Sequence, residues 1–262
     1  MILGRFLTTL TAVAALLLGG PLAATRALAQ DQGFADWTAV VFAGDWHAHD
    51  GGETQAFDNA RRDVSDALVR AGFARSNVLQ FSLRPQKPGD DPKVVLTDQK
   101  AAIMAFEAQA KKATGGCLFY VTSHGSPEGA LFGPNFVLRP ALLDRVLDDI
   151  CGTRPTIAVV SACFSGVFVP ALAGPRRMVM TAARPDRSSF GCSDKDKYPY
   201  FDACVLESLP SSGDFVALPR KVRACVTRME TEQNLAPASE PQTYLGAEMQ
   251  LLLPFMPLKR AP

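Results

Sequence analysis

Two short segments limit most severely what this chain can fold into. Tyr120-Val121-Thr122-Ser123-His124-Gly125-Ser126 and Val159-Val160-Ser161-Ala162-Cys163-Phe164-Ser165-Gly166 are each an apolar run that stops at a reactive side chain followed by small residues. Runs of this length, rich in Val and aromatic residues, read as buried strands. Between them, Leu142, Val146 and Ile150 recur at four-residue spacing and predict a helix from Pro140 to Ile150. If the two runs are neighbouring parallel strands joined by that helix, an imidazole and a thiol meet at one edge of a sheet.

The rest of the chain repeats the pattern. Trp37 to Ala43 and Val78 to Leu83 read as strands, with a helix from Phe57 between them that ends at Gly72. Pro85, Pro88, Gly89 and Pro92 make 84–93 a loop. Thr97 and Asp98 are expected to cap a helix carrying Ile103, Phe106 and Ala110, which Gly115-Gly116 stop before the strand at Cys117 to Thr122. Thr156 to Ser161 and Arg177 to Ala182 are further strands. Tyr200 to Leu209 and Phe215 to Glu230 read as helices, and Tyr244 to Leu253 as either strand or helix. Alternating strands and helices predict an α/β fold with a mostly parallel sheet covered on both faces. Ligands bind beyond the carboxyl ends of such strands, where His124 and Cys163 both fall.

The first 29 residues read as a secretory signal peptide. Arg5 precedes an apolar stretch, Pro21 breaks it, and Ala27-Leu28-Ala29 is a small-x-small cleavage site. An uncleaved membrane anchor is the competing reading, but the stretch is short for a span. The expected domains are therefore the leader, 1–29, and one further domain, 30–262, in the periplasm or secreted. Lys plus Arg number 27 and Asp plus Glu 26; removing Arg5 and Arg26 leaves 25 against 26. A near-neutral chain without a basic stripe does not suit nucleic acid, and after leader cleavage no membrane partner is expected.

Six cysteines are present: Cys117, Cys151, Cys163, Cys192, Cys204 and Cys225. An oxidising compartment permits disulfides. Cys117 and Cys151 each precede a proposed strand and form the best candidate pair. The sequence does not choose among Cys192, Cys204 and Cys225. No C-x-x-C spacing occurs, so neither a thioredoxin motif nor a zinc ribbon is supported.

A cysteine needs help to attack a carbonyl, because at neutral pH it is mostly thiol. A neighbouring His can take the thiol proton and later protonate the departing amine. The backbone N–H groups of Gly125 and Cys163 are candidate oxyanion donors. Taken singly, Cys163 reads as a small buried hydrophobe and His124 as a satisfied imidazole. Both end strands and both have Gly or Ser close by, Gly125 and Ser126 after His124 and Ser165 and Gly166 just beyond Cys163, so together they read as a catalytic pair.

These residues resemble the legumain family of cysteine peptidases, peptidase family C13, in the caspase-like clan. The segments around His124 and Cys163 carry the resemblance. A third segment, Thr181 to Cys192, is similar to the family's stretch lining the primary specificity pocket, and the whole resemblance spans roughly 36–210. It implies a three-layer α/β/α caspase-like sandwich, a His124/Cys163 dyad and thiol-dependent cleavage of peptide or protein substrates, with transpeptidation as a second outcome. No metal or organic cofactor is implied. The pocket residues implied are Ser161, Ser188, Ser189 and Asp202. The sequence departs from the family at the pocket. Ser161 stands where members often carry an acid. Thr54 stands at the place of the Arg with which legumain grips asparagine. Asp202 is offset by one residue from the family's pocket Asp, with Ala203 at the matching place. A bacterial-type exported homologue fits better than legumain itself.

Three readings compete. A caspase-like domain without activity would serve as a binding scaffold. A metal hydrolase would use Asp45, His47, His49 and Asp50, a D-x-H-x-H-D cluster. A serine hydrolase is the weakest, because no G-x-S-x-G elbow occurs. Oligomeric state is not legible.

Overall fold

The computed structural model describes residues 33–94 and 98–259. The expected leader and Thr97, one of the two expected caps, lie outside the described residues. In chain order the elements are β1 (Trp37–Ala43), α1 (Ala56–Ala71), β2 (Val78–Ser82), α2 (Gln99–Ala110) and β3 (Gly116–Thr122). Three short strands follow, β4 (Gly125–Ser126), β5 (Gly129–Leu131) and β6 (Val137–Leu138), then α3 (Pro140–Cys151) and β7 (Thr156–Ser161). The last part holds α4 (Phe168–Leu172), β8 (Arg177–Thr181), α5 (Tyr200–Ser208), α6 (Leu218–Glu232), β9 (Gln242–Leu245) and α7 (Ala247–Leu252).

The main sheet has six strands in the order β2-β1-β3-β7-β8-β9, parallel except for the edge strand β9. Strands β1, β3, β7 and β8 are buried at every residue. That is why they read as continuous apolar runs rather than alternating ones. Helices cover both faces. On one, Val64 and Leu68 of α1, Phe201 and Val205 of α5 and Val222 and Val226 of α6 pack on Leu118, Tyr120, Ile157 and Val159. On the other, Phe106 of α2, Leu143 and Leu147 of α3 and Phe168 of α4 pack on Phe42, Phe119, Val121 and Val160. This is the expected three-layer α/β/α sandwich with a mostly parallel sheet.

Local chemistry sets the helix ends. Gly72, at φ 121°, follows α1, and the Gly72 and Phe73 N–H groups donate to Val69 and Leu68 carbonyls, each at 3.1 Å. This is a Schellman stop, with Phe73 and Leu68 sharing one core cluster. The Asp98 side chain caps α2 through the Lys100 and Ala101 N–H groups, and Pro140 opens α3.

Most expected elements stand within two or three residues. The Tyr244–Leu253 ambiguity resolves into both forms, because Gly246 separates strand β9 from helix α7. The β4–β5–β6 sheet and α4 were not expected; strands of two or three residues are too short to show a period. Among the described residues no helix is long and apolar enough to cross a membrane.

Two disulfides staple the layers. Cys117–Cys151, the expected pair, ties β3 to α3, and Cys204–Cys225 ties α5 to α6. Cys163 and Cys192 are free. The second bridge closes a loop of sequence separation 21, for which chain entropy gives roughly 3 kcal/mol. Replacing Cys204 and Cys225 together by Ser is expected to lower the unfolding free energy by about that amount in non-reducing urea titrations.

Candidate active site

The sheet has a topological switch at β1 and β3, because the chain runs from β1 outward to β2 and then crosses back to β3. Such switch points open crevices at the carboxyl ends of the strands. Three chain exits converge there: residues 44–55 after β1, Ser123–His124 after β3 and Ala162–Cys163 after β7.

Strand register brings His124 and Cys163 to the same face. Thr122 lies opposite Ser161 in the parallel β3–β7 pair, and the pairing runs one step further through Ser123 N–H to the Ser161 carbonyl at 3.0 Å. Side chains alternate along strands. Tyr120 and Val159 face the α1/α5/α6 layer, whereas Val121, Val160 and Ala162 face the α2/α3/α4 layer. His124 and Cys163 continue the alternation of Tyr120 and Val159. Gly125 then crosses the Cys163 backbone so closely that a Cβ there would stand 2.1 Å from the Cys163 carbonyl oxygen and 2.9 Å from the Ala162 Cβ. Only glycine allows that approach.

The imidazole is held on two sides. Its Nε2 lies 2.9 Å from the His47 carbonyl oxygen. A carbonyl only accepts, so Nε2 carries a proton and, in the neutral ring, the lone pair lies on Nδ1. The Phe57 ring, from the first turn of α1, meets the imidazole edge-on at 5.1 Å. His124 and Cys163 are both partly exposed.

The thiol sits against the segment after β8. The Ser189 N–H donates to the Cys163 Sγ at 3.3 Å, with the Ser189 carbonyl at 3.5 Å and its hydroxyl at 3.6 Å. Phe164, directly after the nucleophile candidate, takes φ 57°, a left-handed conformation that non-glycine residues adopt at a cost. Its N–H donates to the Arg187 carbonyl at 2.8 Å, so the strained turn and the 183–189 segment hold each other. Among the described residues the Cys163 N–H has no acceptor. The Leu131 N–H bond to the His124 carbonyl makes Gly125 and Ala130 a non-hydrogen-bonded pair, which turns the Gly125 N–H away from β5.

The expected pocket residues divide. Ser189 touches the sulfur, and Ser188 is exposed beside it. Ser161 and Asp202 are not pocket-facing, which corrects the sequence expectation. Ser161 is 2% exposed and Asp202 0%. The Asp202 carboxylate, on the first turn of α5, accepts hydroxyls from Tyr120, Thr122 and Ser161. It lies beneath His124 and Cys163 and joins β3 to β7. Thr54 is also buried, its hydroxyl donating to the Ser193 carbonyl at 2.8 Å. The loop expected as a metal cluster does not converge. The His47 ring pairs with Asp45 through Nδ1 at 2.7 Å, while His49 and Asp50 are exposed. Among the described residues no three His, Cys, Asp or Glu side chains gather as metal ligands.

The His47 carbonyl and the free thiol of Cys192 were not read from sequence. A backbone acceptor has no side-chain signature. Burial, with the charge of Cys163 next and those of Asp196 and Asp45 behind it, pushes the Cys192 thiol up to about 11.

An α/β/α sandwich presenting a thiol and an imidazole on one face at the carboxyl edge is the layout of a caspase-like fold. The comparisons agree. The crystal structure of caspase-1 from Spodoptera frugiperda superposes with a TM-score of 0.58 at 16% identity, covering 81% of this chain and 87% of that one. Residues 91–214, a stretch that includes both His124 and Cys163, match the model of the Peptidase C13 family. A comparison with curated proteins returned no match. The family match supports a cysteine-peptidase type of function.

Burial raises the Asp202 carboxyl from 3.8 to about 6, against the three hydroxyl donors that lower it. A raised carboxylate contributes no penalty below pH 4 and destabilises the fold as pH climbs through 6, by roughly 3 kcal/mol at neutrality. Asp202→Asn has no charge to bury. Its melting temperature relative to the unaltered protein is expected to rise between pH 4 and pH 7.5; a pH-independent difference would contradict this account of the carboxyl.

Proposed function

We propose that this chain is an exported cysteine endopeptidase that cleaves peptide bonds through His124 and Cys163. The observation that carries the reading is the His124 Nε2–H bond to the His47 carbonyl. It leaves Nδ1 unprotonated, on a ring that shares a sheet face with Cys163.

The reaction then follows from the groups present. Nδ1 takes the Cys163 thiol proton, and the thiolate, which accepts the Ser189 N–H, attacks the substrate carbonyl carbon. A carbon–sulfur bond forms and the carbonyl π electrons move onto oxygen. The Gly125 and Cys163 N–H groups are the proposed donors to that oxyanion. On collapse the carbon–nitrogen bond breaks and the His124 imidazolium protonates the leaving amine, giving a thioester on Cys163. Water attacking the thioester gives hydrolysis; a second amine in its place gives the proposed transpeptidation.

We infer that the family's asparagine grip is not assembled here. The Thr54 hydroxyl is engaged by Ser193, and Ser161 and Asp202 are bonded to each other. Cleavage by the mature protein of a peptide library under reducing conditions is expected without confinement to asparagine. Cys163→Ala should reduce cleavage to background and His124→Ala should lower kcat/KM by at least ~10²-fold. A fully active Cys163→Ala protein would sink the peptidase reading.

Export rests on the leader at residues 1–29 and gains support from the two disulfides. The intact mass of the exported protein is expected to correspond to a chain starting at Gln30; a mass that includes Met1 would oppose it.

A further inference from the structure

We propose that Asp45 is a positioning residue for His124, acting through the backbone of the loop after β1 and not through the His47 ring. The inference deepens the peptidase reading and rests on it for its catalytic consequence.

Asp45 is 5% exposed and directly follows the glycine that ends β1. Its Oδ1 accepts three donors: the Trp46 N–H at 2.7 Å, the His47 N–H at 3.3 Å and the His47 Nδ1 at 2.7 Å. The first two fix successive peptide units on one side of a single carboxylate oxygen. The far side of the loop is fixed as well. The Trp46 carbonyl accepts the Thr54 N–H at 3.0 Å, the Ala48 N–H reaches the Gly52 carbonyl at 2.7 Å, and His47 pairs with Glu53 in an antiparallel bridge. One acceptor at the turn, the His47 carbonyl, is left for the His124 Nε2–H at 2.9 Å.

The dependence therefore runs in one direction. Asp45 sets the Trp46 and His47 peptide units, these aim the His47 carbonyl, and that carbonyl selects the tautomer and pitch of the His124 ring. Charge-assisted bonds from a carboxylate to backbone N–H groups are the strong kind. Without them the loop has other conformations, most of which turn the carbonyl elsewhere. The His47 ring is half exposed and lies tilted against Trp46, with ring centroids 4.5 Å apart. It closes the turn from outside and does not touch His124 in this account, so Asp45 matters through its loop bonds and His47 through its main chain.

The test reads the thiol itself, so that it does not depend on knowing a substrate. Iodoacetamide alkylation of Cys163 in the mature protein is followed by mass spectrometry from pH 5 to 9, beside peptide cleavage. Cys192 is resolved as a separate tryptic peptide, and its thiol stays protonated over most of that range. His124→Ala marks the profile of an unassisted thiol. Asp45→Ala is expected to move the alkylation profile toward that of His124→Ala, with reactivity at pH 6.5 at least tenfold down and kcat falling far more than KM changes. Asp45→Asn, which keeps an oxygen acceptor, should stay within about threefold of the unaltered protein, and so should His47→Ala, which keeps the carbonyl. Should Asp45→Ala fail to fold, Asp45→Ser takes its place, with a reactivity between those of the Asn variant and His124→Ala.

An unchanged alkylation profile in a folded Ala or Ser variant overturns the proposal. A His47→Ala loss as deep as that of Asp45→Ala also overturns it, since the ring would then be the agent. If the profiles shift as expected while no peptide is cleaved, the positioning role stands and the peptidase reading fails. If His124 and Cys163 are needed for cleavage but Asp45→Ala is neutral, the reverse holds.

Discussion

The parallel pairing of β3 with β7 is the constraint on which the site depends. Thr122 opposite Ser161 brings the strand ends level, and alternation then carries the residues two steps on, His124 and Cys163, onto one face. A slip of one residue would send one of them to the other face. Asp202 locks that register from below, because a single carboxylate holds Thr122 and Ser161, the two residues that face each other across the pair, together with Tyr120. A buried carboxylate is an expensive fastener. It is tolerated because three hydroxyls converge on it and because a hydrophobic contact has no such directionality. A slipped register would leave some of these polar groups buried without partners.

The cysteines sort by the same geometry. Cys117 and Cys151 lie in the core facing α2, α3 and α4, and Cys204 and Cys225 in the core facing α1, α5 and α6. Each bridge fixes helix to strand or helix to helix, away from the carboxyl edge. The two thiols left over are both near that edge. Cys163 accepts an N–H from Ser189. Cys192, three residues on, is pushed toward the thiol by burial and by the negative groups around it.

Much of this was legible in the sequence, and the failures have physical causes. The buried strands read directly, because strands covered on both faces are continuous apolar runs; Trp37–Ala43 and Thr156–Ser161 fall at the expected bounds. The dyad candidates read from where those runs stop. Cys117–Cys151 followed from two cysteines set just before adjacent strands. Ser161 and Asp202 misled because a polar residue at a strand end looks the same whether it faces a pocket or another buried polar group. Only the third dimension shows that their oxygens bond to each other. The His47 carbonyl was beyond reach altogether. Every residue has one, and only the fold of 44–55 says where it points.

That last point bears on how reactivity and selectivity divide along the chain. The stretch matching the Peptidase C13 family begins at residue 91 and holds β3, β7 and the segment after β8. Those elements supply the imidazole, the thiol and the Ser189 N–H. Strand β1 and its loop lie before the match, yet they supply the acceptor for Nε2 and contain the buried Thr54. A thiol and an imidazole that are to exchange a proton need a fixed separation, which paired strands supply. A carbonyl acceptor can be delivered by many loop sequences so long as one peptide unit is aimed correctly. The loop is thus free to change its side chains while keeping its main-chain duty. In this chain the loop carries an aspartate that accepts the Trp46 and His47 N–H groups and a threonine whose hydroxyl donates to the Ser193 carbonyl.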